Sequence, residues 1–450
     1  MSFELNSLDE VADVVDSLHK TPTYSETGYP MVRGTDVKYG TLDLSSTFKV
    51  AETVFLDFSR KYKPSPKDII ITRVGTYGVT SQVKEINFCL GQNTAAIIPS
   101  QINADYLFYV LNSPYLKSQI ESGVVGSTQK TLSLKVIKSF KIPRFDKSLE
   151  AEIASILSAL DNRISLLHET NTTLEAIAQT LFKSWFVDFD PVKANVANVG
   201  AVLQQPPVHQ SYNLPPDIAA LFPSEFEESA LGLIPKGWRV GTLGNVMKNE
   251  SSTFNFSGVE KVIFINTGDV SDGQFLHSDF SAVDTLKGQA KKAIRENDVL
   301  FSEIRPKNKR FAYVNFDPKN YVVSTKFMVL RSSHGIHPRY IYQVLRQSEI
   351  IETFNVIADS RSGTFPQITF DAIKAVKVVI PSNECINRYI DYVSAIFQKV
   401  DLNFEQQKEL KDIRDTLLPR LISGQLRLNV GAIRESPVQQ PPLQNHEIGT

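Results

Sequence analysis

Hydrophobic residues recur at alternating spacings of four and three between residues 150 and 185. This heptad pattern continues over four heptads and is interrupted by one polar residue, Asn171. It predicts an amphipathic helix roughly 50 Å long, at a rise of about 1.5 Å per residue. The seam positions of this helix are Ile153, Leu157, Leu160, Ile164, Leu167, Leu174 and Leu181.

The same pattern returns between residues 385 and 422, at an offset of 236 residues. Its seam positions are Val393, Ile396, Val400, Leu410 and Leu417, and Gln407 stands where Asn171 stood. A helix with one apolar stripe must bury that stripe. Because a globular segment separates the two helices along the chain, we expect them to pair as an antiparallel intramolecular coiled coil. The polar residues at matched positions would set its register.

The duplication extends into the globular segments. Asp298-Val299-Leu300 repeats Asp68-Ile69-Ile70 at an offset of 230, and Trp238-Arg239-Val240 aligns with Phe3-Glu4-Leu5. One unit therefore occurs twice, with small insertions. β-rich runs predict strands at 69–72, 94–99 and 137–142 in the first copy, and a helix over 104–122 interrupted near Pro114. The fold class that we predict is two α/β (α+β) domains in tandem, joined by the two long helices.

Proline- and glutamine-rich stretches mark the boundaries between these segments. We predict a first globular domain at 1–145, a helical spacer at 146–191, a linker at 192–230, a second globular domain at 231–380, a second helical spacer at 381–430 and a disordered tail at 431–450.

The nearly neutral overall charge limits the kinds of partner that the chain can bind. The chain has 48 basic and 49 acidic residues, a formal charge of −1, which argues against a polybasic nucleic-acid binder and leaves local basic patches as the alternative. Two cysteines in different units predict no disulfide framework and a reducing compartment. The acidic N-terminus does not resemble a signal peptide, and apolar runs fall short of membrane length, so we expect a cytoplasmic protein.

One segment of the second unit is densely basic. Between residues 287 and 310, eight basic residues face three acidic ones. One interpretation of the end of this segment is a DNA-facing loop with contacts from Arg305, Lys307, Lys309 and Arg310, and the other is a solvated hairpin. The corresponding candidates in the first unit are Arg60, Lys61 and Lys63. A solvated loop is the alternative for both segments.

Two polar loops occupy matched places ahead of the strand that leads into each helix. They supply Gln129 and Lys130 in the first unit, and Arg361 and Gln367 in the second. Glutamine can bind adenine bidentately, whereas a turn shared by both copies is the structural alternative. Phosphate contacts would reconcile the two interpretations. Arg73 and Tyr77 are further candidate contacts, in a turn-like, glycine-containing segment.

Catalytic signatures are weak. Asn112-Ser113-Pro114-Tyr115 is similar to the Asn-Pro-Pro-Tyr motif of amino-methyltransferases, but no glycine-rich cofactor turn precedes it, so we interpret it as a helix kink. His334 and His337 lack a third metal ligand nearby. We therefore predict no catalytic residue and no metal site.

Three segments carry a family resemblance: Leu181-Phe182-Lys183-Ser184-Trp185-Phe186-Val187-Asp188-Phe189-Asp190-Pro191, the stretch from Phe226 through Leu231-Gly232-Leu233-Ile234-Pro235-Lys236-Gly237-Trp238, and Leu417-Leu418-Pro419-Arg420-Leu421-Ile422-Ser423-Gly424. They resemble the DNA specificity subunit of type I restriction-modification systems. The resemblance implies two target-recognition domains, each reading one half of a split DNA site. It also implies helices that set the gap between the halves and dock methyltransferase subunits.

The resemblance further implies a non-catalytic subunit. Its expected partners are double-stranded DNA, two methyltransferase subunits and restriction subunits. S-adenosylmethionine, ATP and Mg would be used by those subunits, and no cofactor by this chain. Trp185 and Phe186 are candidate docking residues, with a cap on the apolar core as the alternative. A coiled-coil scaffold that does not bind DNA and a stand-alone adenine methyltransferase are the rival functions.

Overall fold

The computed structural model describes residues 4–126, 130–200, 214–286, 288–361 and 366–426. The chain divides into two compact units, the first formed by residues 1–168 and 404–450 and the second by residues 169–403. Gln129 and the predicted tail at 431–450 lie outside the described residues. The predicted domain boundaries stay a prediction.

The first unit contains ten strands and five short helices within its described residues, followed by the first long helix. The strands are β1 (Glu4–Ser7), β2 (Ala12–Asp16), β3 (Tyr24–Ser25), β4 (Tyr29–Val32), β5 (Phe48–Val50), β6 (Ile69–Thr72), β7 (Thr80–Gln82), β8 (Cys89–Leu90), β9 (Thr94–Pro99) and β10 (Lys141–Arg144). The helices are α1 (Leu8–Val11), α2 (Glu52–Phe58), α3 (Ala104–Asn112), α4 (Pro114–Gly123), α5 (Leu134–Lys138) and the long α6 (Lys147–Phe186).

A four-stranded sheet in the order β2-β9-β6-β7 forms the centre of the first unit. Its strand β6 is buried on both faces. Ile69 and Ile71 pack into the core beneath the helices, while Ile70 packs into the cluster shared with the second sheet, β3-β5-β4-β8. Successive side chains of a strand point to opposite faces. The three consecutive isoleucines at 69–71 are therefore explained by a strand whose two faces are both buried.

The predicted interruption of the helix near Pro114 is confirmed. Helix α3 ends at Asn112, and the Ser113 hydroxyl accepts a hydrogen bond from the amide of Leu116 as α4 begins with Pro114 at its first turn. The Asn112 amide donates to the Thr80 hydroxyl at 2.7 Å and to the Phe108 carbonyl at 2.7 Å. These bonds give Asn112 a structural role and support the helix-kink interpretation.

The predicted strand at 137–142 is wrong in its first half. Residues 134–138 form helix α5, because the Ser133 side chain caps the amide of Val136 and Ile137 packs into the core. Strand β10 begins only at Lys141 and pairs antiparallel with β1. An apolar run of this length does not distinguish a strand from a short helix by its pattern alone.

The second unit repeats this plan with more strands. Its strands are β11 (Phe226–Ser229), β12 (Gly232–Pro235), β13 (Arg239–Thr242), β14 (Met247–Glu250), β15 (Lys261–Ile265), β16 (Val270–Ser271), β17 (Gln274–Phe275), β18 (Phe280–Ala282), β19 (Ala290–Ala293), β20 (Val299–Ser302), β21 (Phe311–Tyr313), β22 (Tyr321–Ser324), β23 (Phe327–Ser332) and β24 (Lys377–Ile380). Its helices are α7 (Asp190–Gly200), α8 (Pro216–Ala219), α9 (Leu243–Val246), α10 (Pro338–Leu345), α11 (Ser348–Arg361), α12 (Phe370–Ile373) and the long α13 (Asn383–Ile422), with 3₁₀ turns at Thr267–Asp269, Val283–Thr285 and Pro306–Asn308.

The central sheet of the second unit has the order β14-β23-β20-β21, which matches the sheet of the first unit strand for strand. A second sheet, β18-β15-β22-β19, again lies beside it, and β13 pairs with β24 as β1 pairs with β10. Val299 and Phe301 of β20 pack into one cluster and Leu300 into another. The predicted tandem of two mixed α/β domains is thus confirmed.

The long helices pair antiparallel, as predicted. In the first unit, Ile153 near the start of α6 shares a cluster with Leu421 near the end of α13. In the second unit, Phe182 near the end of α6 shares a cluster with Ile386 near the start of α13. Of the seam residues, Ile153, Leu157, Leu167, Val393 and Val400 are buried, and Leu160, Ile164, Leu174, Leu181, Ile396, Leu410 and Leu417 are partly buried.

A pair of buried amides interrupts this seam in the second unit. The Asn403 amide donates to the Asn171 side-chain oxygen at 2.7 Å, and the Asn171 amide donates to the Val400 carbonyl at 3.2 Å. Both asparagines are 1% exposed. Asn171 therefore pairs with Asn403, and Gln407, its counterpart in the repeat, is buried elsewhere. One paired polar position disfavours other registers of the two helices, since a slip would bury both amides unpaired.

Candidate nucleic-acid interface

In the first unit, the turn between β6 and β7 is bound to the segment that follows α4. The amide of Leu132 donates to the Arg73 carbonyl at 2.8 Å, and the amide of Gly75 donates to the Lys130 carbonyl at 3.4 Å. Val74 and Thr131 form an isolated antiparallel bridge between these bonds. Two segments that the sequence singled out separately are therefore brought to one edge of the sheet.

In the second unit, the turn between β20 and β21 is bound in the same way. The amide of Ile368 donates to the Glu303 carbonyl at 2.8 Å, and the amide of Arg305 donates to the Pro366 carbonyl at 3.0 Å. Ile304 and Gln367 form the bridge. The backbone frame, which we call the recognition edge, is thus the same in both units: residues 73–79 with 130–132 in the first, and residues 303–310 with 366–368 in the second.

The recognition edge of the second unit is strongly basic. Arg305, Lys307 and Lys309 are exposed, and Arg310 is partly buried with its guanidinium 3.4 Å from the Thr267 hydroxyl. The 3₁₀ turn at Pro306–Asn308 spaces these side chains along the turn. Four cations on one turn favour contact with phosphates, and an arginine among them can read guanine bidentately.

Two of these cations sit on a strained backbone. Arg305 has φ +46° and Lys309 has φ +51°, in the left-handed region, where a side chain with a Cβ costs about 1–2 kcal/mol. The equivalent of Arg305 in the first unit is Gly75, with φ +76°. Glycine adopts this conformation without that cost. Arg305 therefore stands at a position where the fold alone would favour glycine.

Lys307 and Lys309 also line a groove of about 530 Å³ beside helix α11. Arg346 and Lys183 line the same groove, but their charges are engaged: Arg346 lies 2.8 Å from Glu175, and Lys183 lies 2.6 Å from Asp188. Lys307 and Lys309, the two lysines of the recognition edge, are thus the cations of this groove that can bind a ligand.

The other candidates of the second unit lie close by. Arg361 is exposed at the end of α11, and its guanidinium donates to the Thr369 hydroxyl at 2.9 Å. Gln367 is partly buried in the bridge to Ile304. Lys292 of the basic segment points inward instead, since its ammonium group donates to the Phe327 carbonyl at 2.6 Å. Burial lowers the pKa of Lys292.

The recognition edge of the first unit is less charged. The Lys130 ammonium donates to the Tyr77 hydroxyl at 3.3 Å, and that hydroxyl donates to the Glu121 carboxylate at 3.0 Å. The hydrogen bond with Tyr77 raises the pKa of Lys130, which is exposed. Tyr77 and Lys130 are thus brought together as one small polar cluster. Gln129, just before it, lies outside the described residues.

Arg73 has a structural role that the sequence did not reveal. Its side chain is 11% exposed, forms an ion pair with Asp16 of β2, and donates to the Leu132 carbonyl at 3.2 Å. The guanidinium thus holds the turn against the sheet. The contact of Arg73 with DNA stays a prediction.

The basic segment Arg60, Lys61 and Lys63 is exposed, after helix α2. Arg60 lies 3.3 Å from Asp57, and buried Tyr62 anchors the segment through a 2.8 Å hydrogen bond to Asp68. Among the described residues, no hydrogen bond or ion pair joins these cations to the recognition edge. The contact of Arg60, Lys61 and Lys63 with DNA stays a prediction.

Trp185 and Phe186 lie in an aromatic cluster. They are 1% and 5% exposed, and Trp185 packs edge-on against Phe222 at 5.2 Å and Tyr389 at 5.5 Å, while Phe186 packs against Trp238 at 6.0 Å. Their burial supports the alternative interpretation, a cap on the apolar core, because a buried side chain presents no surface to a partner.

Among the described residues, no group of three or more His, Cys, Asp and Glu side chains could hold a metal ion. None of the helices in the described part of the chain is long and apolar enough to span a bilayer.

Comparison with known proteins identifies the family. The model of the type I restriction modification DNA specificity domain matches residues 2–176 and again residues 235–412, so the chain belongs to this family. The two matches fall on the two copies of the internal repeat.

Individual relatives agree with this assignment. The specificity subunit of the type I restriction enzyme HindI from Haemophilus influenzae is 44% identical over 181 residues, which are 40% of this chain and 39% of that protein. The match therefore spans well under half of that relative. The specificity subunit of the type I restriction enzyme MjaIX from Methanocaldococcus jannaschii is 26% identical over 340 residues, 74% of this chain and 71% of that protein.

One solved structure of a similar protein is the S subunit of a type I restriction-modification system from M. genitalium. It aligns with a TM-score of 0.48 and 15% sequence identity, covering 94% of this chain and 96% of that chain. An HsdS subunit from Thermoanaerobacter tengcongensis has a TM-score of 0.32 and 17% identity over 94% and 97% of the two chains.

Proposed function

We propose that this chain is the DNA specificity subunit of a type I restriction-modification complex, and that each unit binds one half of a bipartite DNA target. The carrying observation is the recognition edge. The same backbone frame occurs in both units, yet the side chains on it differ almost completely. A repeated frame with different side chains is what two different half-sites require.

The chemistry of the second edge supports DNA as the ligand. Lys307 and Lys309 are exposed cations suited to phosphates, and Arg305 is suited to a guanine edge. The near-neutral formal charge of −1 fits a subunit whose DNA affinity depends on the other subunits of the assembly. Arg361, Gln367, Tyr77 and Lys130 complete the set of contacts that we propose.

The antiparallel helices would fix the gap between the half-sites, as dimer geometry fixes half-site spacing in other DNA-binding proteins. Inserting or deleting heptads in both helices should change the gap and leave the half-sites unchanged. We propose that the helices also dock two methyltransferase subunits, and that restriction subunits join this core. The relatives named above are themselves specificity subunits of restriction enzymes.

We propose that this chain performs no catalysis and acts in the cytoplasm, where it meets DNA. Base flipping and methyl transfer from S-adenosylmethionine would belong to the methyltransferase subunits, and ATP and Mg to the restriction subunits. The bonds of Asn112 to Thr80 and Phe108 support this division, since they occupy the amide that a methyltransferase motif would offer to its base.

The test is co-expression of the full chain with its methyltransferase subunit in a host without other adenine methylation, followed by sequencing of N6-methyladenine. We expect one methylated motif made of two fixed halves with a constant gap. Methylation by this chain expressed alone would support the stand-alone methyltransferase. No methylated motif beside a stable complex would support the scaffold.

A further inference from the structure

A second turn is repeated in the two units, each time directly after a strand. In the first unit it follows β4 and begins at Arg33, and in the second it follows β15 and begins at Asn266. An aspartate closes both turns in the same way. The carboxylate of Asp36 accepts a hydrogen bond from the Arg33 amide at 2.8 Å, and that of Asp269 accepts one from the Asn266 amide at 2.8 Å. These two turns, which we call the Asp-closed turns, share a backbone arrangement and differ in their first residue.

The Asp-closed turn of the first unit lies at the same end of the unit as the recognition edge. Strands β4 and β8 pair in parallel, so they end together, and the Gly91 amide donates to the Val32 carbonyl at 2.8 Å. Two residues further on, the Asn93 carbonyl accepts a hydrogen bond from the amide of Arg73, the first residue of the recognition edge, at 2.8 Å. The short segment 91–93 therefore joins the two turns.

The Asp-closed turn of the second unit touches its recognition edge directly. The Arg310 guanidinium lies 3.4 Å from the hydroxyl of Thr267, the second residue of the turn. Just beyond the turn, the Asp272 amide donates to the Lys309 carbonyl at 2.8 Å. Both Asp-closed turns thus lie beside the surface through which we propose that the unit binds DNA.

In the first unit, the side chain of Arg33 is held in one orientation. Its Nε donates to Asp36 Oδ2 at 2.9 Å, and its Nη2 donates to Asp36 Oδ1 at 2.9 Å. The guanidinium carbon lies 3.8 Å from the centroid of the Phe48 ring, against which Tyr24 packs edge-on at 5.0 Å. The side chain of Asp36 is 7% exposed, whereas that of Arg33 is 27% exposed. The guanidinium is therefore fixed by its neighbours and still partly open to solvent.

The turn itself does not require this arginine. The Asp-closed turn of the second unit forms the same closing hydrogen bond with Asn266 in that place, and Asp269 lies 3.4 Å from His277 instead of a guanidinium. An arginine that the turn can do without, yet that two hydrogen bonds and an aromatic ring hold in place, indicates a ligand for its remaining donors.

The hydrogen bonds to Asp36 use only part of the donor set of Arg33. A guanidinium carries five N–H groups, and Asp36 takes the one on Nε and one on Nη2. The edge formed by Nη1 and Nη2 presents two parallel N–H groups, which match the N7 and O6 acceptors of guanine in the major groove. An arginine that is oriented beforehand loses little conformational freedom when it binds.

We propose that Arg33 is a specificity-determining residue of the first unit, that it reads one guanine of the half-site through Nη1 and Nη2, and that Asp36 and Phe48 are its positioning residues. This inference rests on the proposed function for the DNA ligand. The second unit has Asn266 in the same place, so the two Asp-closed turns contribute different contacts to the two half-sites. A guanine contact changes base preference at one position, whereas a phosphate contact changes affinity for every sequence alike.

The experiment compares methylated motifs between strains that carry the full chain with its methyltransferase subunit, by sequencing N6-methyladenine. The first unit's half is the one that Arg305→Ala leaves unchanged, and we expect it to contain a guanine. In Arg33→Ala, that position alone should accept other bases. Asp36→Asn keeps the charge of Arg33 but replaces the carboxylate that orients it, so the same position should relax to a smaller extent. The control is Lys20→Gln, at an exposed cation of the first unit that lies 3.0 Å from Asp57, and it should keep the motif.

Fluorescence anisotropy of the purified complexes measures the size of the effect, on duplexes that carry the motif with one base pair changed at a time. The unaltered complex should prefer guanine at the Arg33 position about tenfold over each other base, and Arg33→Ala should remove that preference. Methylation that keeps the second half and the gap verifies that each variant is folded and assembled. Should Arg33→Ala not assemble, Asp36→Asn decides the question by the same measurement.

Three results would overturn the inference: a first-unit half without guanine, an Arg33→Ala motif identical to that of the unaltered chain, or a uniform loss of affinity over all duplexes. Each of them leaves the proposed function intact, because a split motif is still methylated. The absence of any methylated motif from the unaltered strain would refute the proposed function, and this inference with it.

Discussion

The recognition edges of the two units share one backbone arrangement but carry different side chains. In the first, Gly75 takes the left-handed position of the turn and Tyr77, Lys130 and Glu121 form a small hydrogen-bonded cluster. In the second, Arg305 takes that position and three further cations follow. Backbone bonds hold both turns, so the side chains are free to differ.

The same contrast occurs at the opposite end of the central strand, just before the strand begins. Asp68 accepts hydrogen bonds from the Tyr62 hydroxyl and the Ser65 amide, both on Oδ2. Its counterpart Asp298, which is 1% exposed, forms a bidentate ion pair with Arg331 at 2.7 and 2.9 Å. A duplicated fold thus retains the buried carboxyl group and changes the groups that bind it, which are neutral donors in the first unit and a guanidinium in the second.

The largest effect that we predict is on the stability of the second unit. Asp298→Ala leaves the guanidinium of Arg331 without its main partner and should lower the free energy of unfolding by about 3 kcal/mol. Both tryptophans of the chain, Trp185 and Trp238, lie in the second unit, so urea unfolding followed by tryptophan fluorescence reports it selectively. Asp68→Ala is the matched control and should leave this transition in place. An unchanged midpoint for Asp298→Ala would refute the assigned role.

The next effect concerns DNA. Changing Arg305, Lys307, Lys309 and Arg310 together to glutamine should weaken binding of the full complex about 100-fold. The slope of log affinity against log salt should also fall by about 0.9 for each phosphate that the variant no longer neutralises. Fluorescence anisotropy with the target duplex at several salt concentrations measures both quantities. Lys319→Gln, at an exposed lysine paired with Asp317, is the control. Equal affinities for the two variants would contradict the assignment of the basic turn.

A single substitution separates function from stability at the left-handed position. Arg305→Gly restores the residue type of the first unit, so the second unit should become more stable by up to about 1 kcal/mol, while DNA affinity should fall about tenfold. The two measurements are the tryptophan unfolding transition and anisotropy. A loss of stability in this variant would show that the arginine serves the fold.

A smaller effect is expected in the first unit. Lys130→Gln removes an exposed cation and should reduce DNA affinity roughly threefold, because solvent and salt screen the contribution of an exposed charge. Tyr77→Phe, which removes only the hydroxyl, is the companion variant. If Lys130→Gln reduced DNA affinity as much as the combined glutamine variant of the second edge does, the two edges would contribute equally to affinity.

The smallest effect is a pH dependence. Burial raises the pKa of Asp68, so the folded state holds this proton to higher pH than the unfolded state does. The contribution of Asp68 to stability therefore decreases as pH rises from its ordinary pKa, about 3.8, through the raised value. Asp68→Asn cannot titrate and should lack this decrease, as calorimetry between about pH 3.5 and pH 7 would show. If the unaltered chain instead gained stability over Asp68→Asn as pH rises, the raised pKa of Asp68 would be contradicted.

Sequence patterns predicted much of the fold, because the duplicated strands and helices carry strong periodicity. The seam of the long helices, their antiparallel pairing and the kink at Pro114 followed from local rules of burial and backbone geometry. The strand expected at 137–142 failed, because a capping serine and core packing turned half of it into a helix.

The candidate site was less predictable, because its assembly depends on contacts that are distant in sequence. Arg73 is a predicted DNA contact, and its sequence context did not show that its side chain forms an ion pair with Asp16, 57 residues away. Trp185 is a predicted docking residue, and its sequence context did not show that its ring packs against Phe222 and Tyr389. Backbone hydrogen bonds join each turn to its bridging segment, and no pattern of side chains in the sequence predicts such bonds.

The central claim is that each unit reads its own half of a split site. The most direct measurement is the methylated motif of a strain carrying Arg305→Ala, compared with the motif of the unaltered chain by sequencing N6-methyladenine. The account predicts that specificity relaxes in one half only, with the other half and the gap unchanged. Relaxation in both halves, or a single uninterrupted motif, would contradict it.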